Sequence, residues 1–234
     1  MNEKTSKILL SKLRRRIVKF CVQPIRVFCF HQVSETFEPE FMWECDWIST
    51  DDFKKMIKNL QMEYTFISLH DGYVKMRQDT FRMKKYAVLT ADDGWLSVIN
   101  IIPWLAENNI PITLFINPLY LDGIHKQERE TEKLLTENDL RELLANYTNV
   151  SICSHGWTHA DATKIDQDEF ENAMQKAETA LSAYTRKEPF YAFTYGHYKV
   201  EYLQILRNEQ LIPVLMDGQK NYRYDGVIHR EELK

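Results

Sequence analysis

Two short stretches of this chain carry residue types that could do hydrolytic chemistry together. The first is Leu89-Thr90-Ala91-Asp92-Asp93-Gly94-Trp95, where adjacent carboxylates precede a glycine that permits a sharp exit. Neighbouring side chains point in different directions, so one carboxylate can bind a metal while the other faces water or substrate. The second is Ser154-His155-Gly156-Trp157-Thr158-His159, whose imidazoles lie four residues apart and can meet on one side of a turn. Each has a bland reading: an Asp pair can simply begin a helix, and an H-x-x-x-H pair arises by chance in a chain with seven histidines. Together they are more specific. Two neutral imidazoles and one carboxylate form a three-ligand site for a divalent ion with room for water, as expected of a hydrolytic zinc-type centre. Such an ion acidifies its bound water and polarises the carbonyl under attack, while the second carboxylate takes the proton. No G-x-S-x-G elbow occurs, so an acyl-serine route has no support.

The elements that must position these residues alternate. Runs rich in β-branched and aromatic residues predict strands at 25–30, 65–69, 86–90, 112–116, 150–154, 190–193, 212–216 and 227–228. Helices are expected between them at 50–62 (capped by Thr50 or Asp51), 95–108 (bent at Pro103), 136–146, 166–184 and 198–209, and a long loop at 119–132. Strand-then-helix repetition implies parallel strands with right-handed crossovers. With only seven glycines and neither G-x-G-x-x-G nor G-x-x-x-x-G-K-[ST], a nucleotide fold is disfavoured. The expected fold class is α/β, a distorted (β/α) barrel of about seven parallel strands. His31, Asp92, Asp93, Asn117, His155, His159, Thr194, Tyr195 and Asp217 all follow strand ends. In a parallel barrel those ends share one face.

Composition sets the remaining bounds. A chain of 234 residues and 27.9 kDa can bury one substantial core, and a net charge of −4 gives no field that favours nucleic acid. Cys21, Cys29, Cys45 and Cys153 show no C-x-x-C spacing and read as free thiols in a reducing cytoplasm. Residues 1–22 read as a basic amphipathic helix and 23–234 as the catalytic domain. Lys12 and Arg14, Arg15 and Arg16 interrupt any apolar run long enough for a signal sequence or a membrane span. The expected location is cytoplasmic, with the basic helix able to make peripheral contact with the inner membrane face.

From about Arg26 to the end, the sequence resembles the polysaccharide deacetylases of the NodB-homology class, also called carbohydrate esterase family 4. The resemblance is carried by Phe30-His31-Gln32-Val33 in place of Y-H-x-V, Thr90-Ala91-Asp92-Asp93-Gly94 in place of T-F-D-D-G, and His155-Gly156-Trp157-Thr158-His159 in place of H-[ST]-x-x-H. It implies that Asp92 is the catalytic base and that Asp93, His155 and His159 hold a divalent metal, zinc first and cobalt or nickel as alternatives. The family's R-x-P-Y motif aligns with Tyr191-Ala192-Phe193-Thr194-Tyr195-Gly196, which lacks the arginine. Arg230, on the last strand, is expected to reach Asp92 instead, and the Tyr195 amide to serve the oxyanion. His229 and His31 are the candidates for the general acid, and Trp157 and Tyr198 for stacking on a sugar ring. The implied activity is hydrolysis of an N-acyl group, acetyl first, from an amino sugar in a glycan or lipid-linked precursor. A deformylase, an O-acetyl esterase, or a carbohydrate-binding protein that has lost turnover are the alternatives.

Overall fold

In a computed structural model of the chain, the structure describes residues 22–40, 46–78, 81–127, 131 and 133–233. The helix expected over residues 1–22, apart from Val22, lies outside the described residues, as do Cys21 and Cys45. Seven of the apolar runs close into a ring. β1 (Ile25–Phe30) pairs in parallel with β5 (Tyr86–Ala91) on one side and β10 (Ile228–Glu232) on the other. From β10 the ring continues through β9 (Ile212–Met216), β8 (Lys187–Ala192), β7 (Val150–Ser154) and β6 (Ile112–Ile116) back to β5. A two-residue strand, β4 (Thr65–Phe66), pairs with Tyr86 and Ala87 at the foot of β5, below the β5–β6 contact. Outside the ring, β2 (Gln32–Ser34) and β3 (Trp47–Ser49) form a small parallel pair.

Strands buried on both faces need apolar residues at nearly every position, which is why the ring strands read as continuous hydrophobic runs. Alternation sends Val27, Val88, Phe115, Cys153, Phe190, Val214 and Ile228 to one interior cluster. Phe28, Phe30, Leu89, Leu114, Ile116 and Ile152 point outward beneath α1 (Thr50–Gln61), α3 (Ile102–Glu107) and α4 (Glu137–Asn146). Tyr191, Phe193 and Leu215 pack under α5 (Gln167–Leu181) and α6 (Val200–Asn208). α2 (Leu69–Gln78) contributes Leu69 and Met76 to the interior cluster and closes the amino end of the ring. Gly72 lets it approach, because a Cβ there would sit 3.1 Å from Val88 Cγ2.

The (β/α) barrel is as expected, with local differences. The helix at α2 was not expected: His70, Asp71 and Gly72 obscure its apolar face, and the real start signal is Ser68, whose Oγ accepts from the Asp71 amide at 3.0 Å. Ser49, not Thr50 or Asp51, caps α1, accepting from the Asp52 amide at 3.1 Å. The expected helix over 95–108 is split into a 3-10 turn, Leu96–Asn100, and α3, which begins beside Pro103. β10 runs past the apolar 227–228 pair because Arg230 is buried inside the ring and Glu231 pairs with Arg26 on β1 at 2.5 Å. β8 begins earlier than expected, at Lys187.

Candidate active site

The carboxyl end of β5 carries the paired aspartates. The Asp92 amide extends the β1 ladder by donating to the Phe30 carbonyl at 3.1 Å. Asp93 then takes a left-handed backbone (φ 69°), followed by Gly94 (φ 74°). For a non-glycine residue such a turn is costly and clusters at functional sites. It splays the two carboxylates. Trp95 Nε1 donates to Asp93 Oδ2 at 3.1 Å, which leaves Oδ1 facing the cavity.

His155 continues β7, its amide donating to the Ile116 carbonyl at 2.9 Å. The Asn117 side-chain amide, at the end of β6, donates to the carbonyls of His155 (2.5 Å), Gly156 (3.3 Å) and Thr158 (3.2 Å) and so holds the loop. The Tyr120 hydroxyl accepts from the His159 amide at 3.1 Å. His155 Nδ1 donates to the Ala192 carbonyl at 3.0 Å, so in the neutral ring Nε2 presents a lone pair. Nε2 of His155 lies 3.2 Å and Nε2 of His159 3.3 Å from Asp93 Oδ1. The ligand atoms of these three residues all lie within 4.8 Å of one another, and Asp93 Oδ1 is buried without a hydrogen-bond donor. Electron pairs converging on one point among buried side chains repel unless a cation lies among them. One carboxylate and two imidazoles fit zinc, and equally cobalt or nickel.

Beside this triad Asp92 is clamped by a buried guanidinium. Arg230 Nη1 donates to Asp92 Oδ1 at 2.6 Å and Nη2 to Oδ2 at 2.8 Å, a two-point contact that fixes the carboxylate plane. Nη1 also reaches Thr90 Oγ1 (3.2 Å) and Cys29 Sγ (3.4 Å), and the guanidinium carbon lies 4.9 Å from the Phe115 ring centroid. Burial alone would raise the Asp92 pKa, but the charge of Arg230, with His155 and His31, holds it below the ordinary carboxylate range. For Asp93 burial also pushes upward, and His155 and His159, when they carry a proton on Nε2, pull it well below that range.

The cavity over these groups, about 430 Å³, is lined by His31, Asp92, Asp93, His155, His159, Tyr195 and Arg230. His31, Cys29 and Asp92 offer donor atoms within 4.8 Å of one another. Tyr195 is left-handed (φ 57°), half exposed, and its ring centroid lies 4.5 Å from that of His159. Three expected residues are not brought to the cavity. His229 precedes Arg230 on β10 and therefore faces the other way; its Nδ1 lies 2.8 Å from Asp217 Oδ2. Trp157 lies in a separate groove against α5, with Lys176 Nζ 4.2 Å from its ring. Tyr198, partly buried, stacks on Phe193 at 5.2 Å against the cluster beneath α5 and α6. Asp46, Trp95, Gln127 and Glu232 line the cavity without having been expected there. Glu232 was legible, lying two residues beyond Arg230 on β10; Trp95 follows two left-handed residues, and Asp46, just ahead of β3, and Gln127, in a loop, carry no periodic signal.

The sequence model for polysaccharide deacetylases matches residues 79–212, more than half of the chain. No curated protein matches by sequence. Among solved structures, the Streptococcus pyogenes deacetylase PplD, in complex with acetate, superposes with a TM-score of 0.75 at 18% identity, covering 90% of this chain and 92% of that one. IcaB from Ammonifex degensii gives 0.73 at 17% identity, covering 91% and 92%. A de-N-acetylase from Aggregatibacter actinomycetemcomitans gives 0.73 at 17% identity, covering 89% and 94%. At such identities these likenesses concern the fold, whereas the sequence match reaches across both the paired aspartates and the paired histidines. The chain belongs to the polysaccharide deacetylase family.

Proposed function

We propose that the protein is a metal-dependent hydrolase that removes an N-acyl group, acetyl first, from an amino sugar of a glycan or lipid-linked precursor. The observation that carries this reading is the convergence of Asp93, His155 and His159 beside an ionised, arginine-clamped Asp92. Asp93, His155 and His159 would hold a divalent ion, which would supply a Lewis acid and acidify water at the site. Zinc, cobalt and nickel all suit that ligand set. Asp92 accepts the proton of the attacking water, and Arg230 keeps it ionised and oriented. The backbone amide of Tyr195 donates to the oxygen that gains charge as the carbonyl is attacked. His31 delivers a proton to the departing nitrogen. The carbon–nitrogen bond breaks, the acyl group leaves as a carboxylic acid, and the sugar leaves as an amine. A cytoplasmic enzyme acting on a precursor glycan is the setting this reading carries.

The test is direct. Purified protein supplied with Zn²⁺, Co²⁺ or Ni²⁺ is offered short N-acetylglucosamine oligomers and lipid-linked acetylated sugars, and free amine is measured. Release by wild type and none by Asp92→Asn supports the reading; no release with any metal and either substrate class contradicts it.

A further inference from the structure

The end of the barrel opposite the cavity carries features that the hydrolytic reading does not use. Ahead of β5 the chain is extended, and the Arg82 side chain is buried, donating to the carbonyls of Gln23 (2.8 Å), Lys75 (3.1 Å) and Tyr222 (2.9 Å). Alternation then drives Phe81 and Met83 outward, and they are 65% and 59% exposed. Met62, just past α1 and ahead of β4 at the same end, is 79% exposed. Lys84 follows Met83 directly; Lys75 and Lys84 place their Nζ atoms 4.9 and 5.6 Å from the Tyr86 ring centroid, while Lys85 is paired with Glu63 at 3.0 Å. Val22 bridges to Arg82.

We propose that this amino end of the barrel, centred on Phe81, Met83, Lys75 and Lys84, docks on an anionic membrane surface. Exposed apolar side chains together with the Lys75 and Lys84 cations match the boundary between acyl chains and anionic headgroups. No helix among the described residues is long and apolar enough to cross a membrane. Parallel topology fixes the orientation of the contact: strands of five or six residues separate foot from cavity by about 20 Å. Resting on the proposed function, this orientation points the cavity away from the lipid. It favours sugar units along an extended glycan chain over the first sugar on a lipid carrier.

The experiment is co-sedimentation of the full chain with vesicles of equal phosphatidylglycerol and phosphatidylcholine, beside vesicles of phosphatidylcholine alone. Wild type should partition to the anionic vesicles and lose binding as salt rises. Phe81→Ser with Met83→Ser should weaken partition about tenfold, and Lys84→Gln about fivefold. All three substituted positions lie far from the cavity, so melting temperature, metal content and turnover of a soluble substrate should not change in these variants. The proposal is overturned if wild type ignores anionic vesicles or binds both kinds equally. It is equally overturned if the serine variant binds like wild type, or if sedimentation velocity shows Phe81 and Met83 joining two copies of the chain. None of these outcomes depends on turnover, so they leave the hydrolytic reading untouched.

Discussion

Replacing Arg230 with Met would remove the clamp on Asp92 while nearly conserving volume inside the ring. Asp92 is 5% exposed and its carboxylate receives two charge-assisted hydrogen bonds from this one side chain, at 2.6 and 2.8 Å. Removing one partner of a buried pair leaves an uncompensated charge and costs about 3–5 kcal/mol. The protein can avoid part of that cost only by protonating Asp92, and each tenfold change in proton affinity corresponds to about 1.4 kcal/mol. Urea unfolding of the metal-free variant near neutral pH should therefore show a loss of about 3 kcal/mol or more. The acid limb of its kcat/KM profile should move upward by about one pH unit or more, because burial then acts on Asp92 unopposed by Arg230. Adding Asp92→Asn should restore much of the stability, since the buried charge is gone, and the double-mutant cycle isolates the coupling. A variant whose stability stays within about 1 kcal/mol of wild type, with an unmoved acid limb, would refute the reasoning.

Changing His31 to Gln should slow hydrolysis of an N-acetyl amino sugar by about a hundredfold or more, while hydrolysis of an activated aryl acetate, whose leaving group needs no proton, stays within about threefold; equal losses on both substrates would assign His31 a structural role. In the metal-free protein, Asp92 and Asp93 are both held below the unfolded carboxylate range. Their contribution to stability is therefore present above about pH 4 and is lost as pH falls through the folded values. Denaturant midpoints measured from pH 7 to pH 3 should fall toward acid, less steeply in Asp92→Asn.

Much of this molecule is legible in its amino-acid sequence. The strands 25–30, 112–116, 150–154 and 212–216 are expected with the bounds they have, because parallel strands buried on both faces leave continuous apolar runs. The placement of Asp92, Asp93, His155 and His159 at strand ends follows from the same pattern. What the sequence does not carry is parity. Whether His229 or Arg230 faces the interior depends on how β10 pairs with β1 and β9, and a slip of one residue exchanges them. Trp157 follows Gly156, whose left-handed φ of 83° turns the chain so that the tryptophan meets α5 rather than the cavity. Trp95 lines the cavity, and its indole is tied to Asp93, an arrangement set by two successive left-handed residues that no periodicity reports.

The proposed hydrolysis rests on one cation shared by residues that follow two separate strands, β5 and β7. Elemental analysis of protein loaded with zinc and then desalted, run for wild type, His155→Ala, His159→Ala and Asp93→Ala side by side, tests that requirement most directly. A single ion per chain in wild type, lost in all three variants while their circular dichroism stays native, is the result expected. A wild type that retains no metal, or variants that keep the full complement, would contradict it.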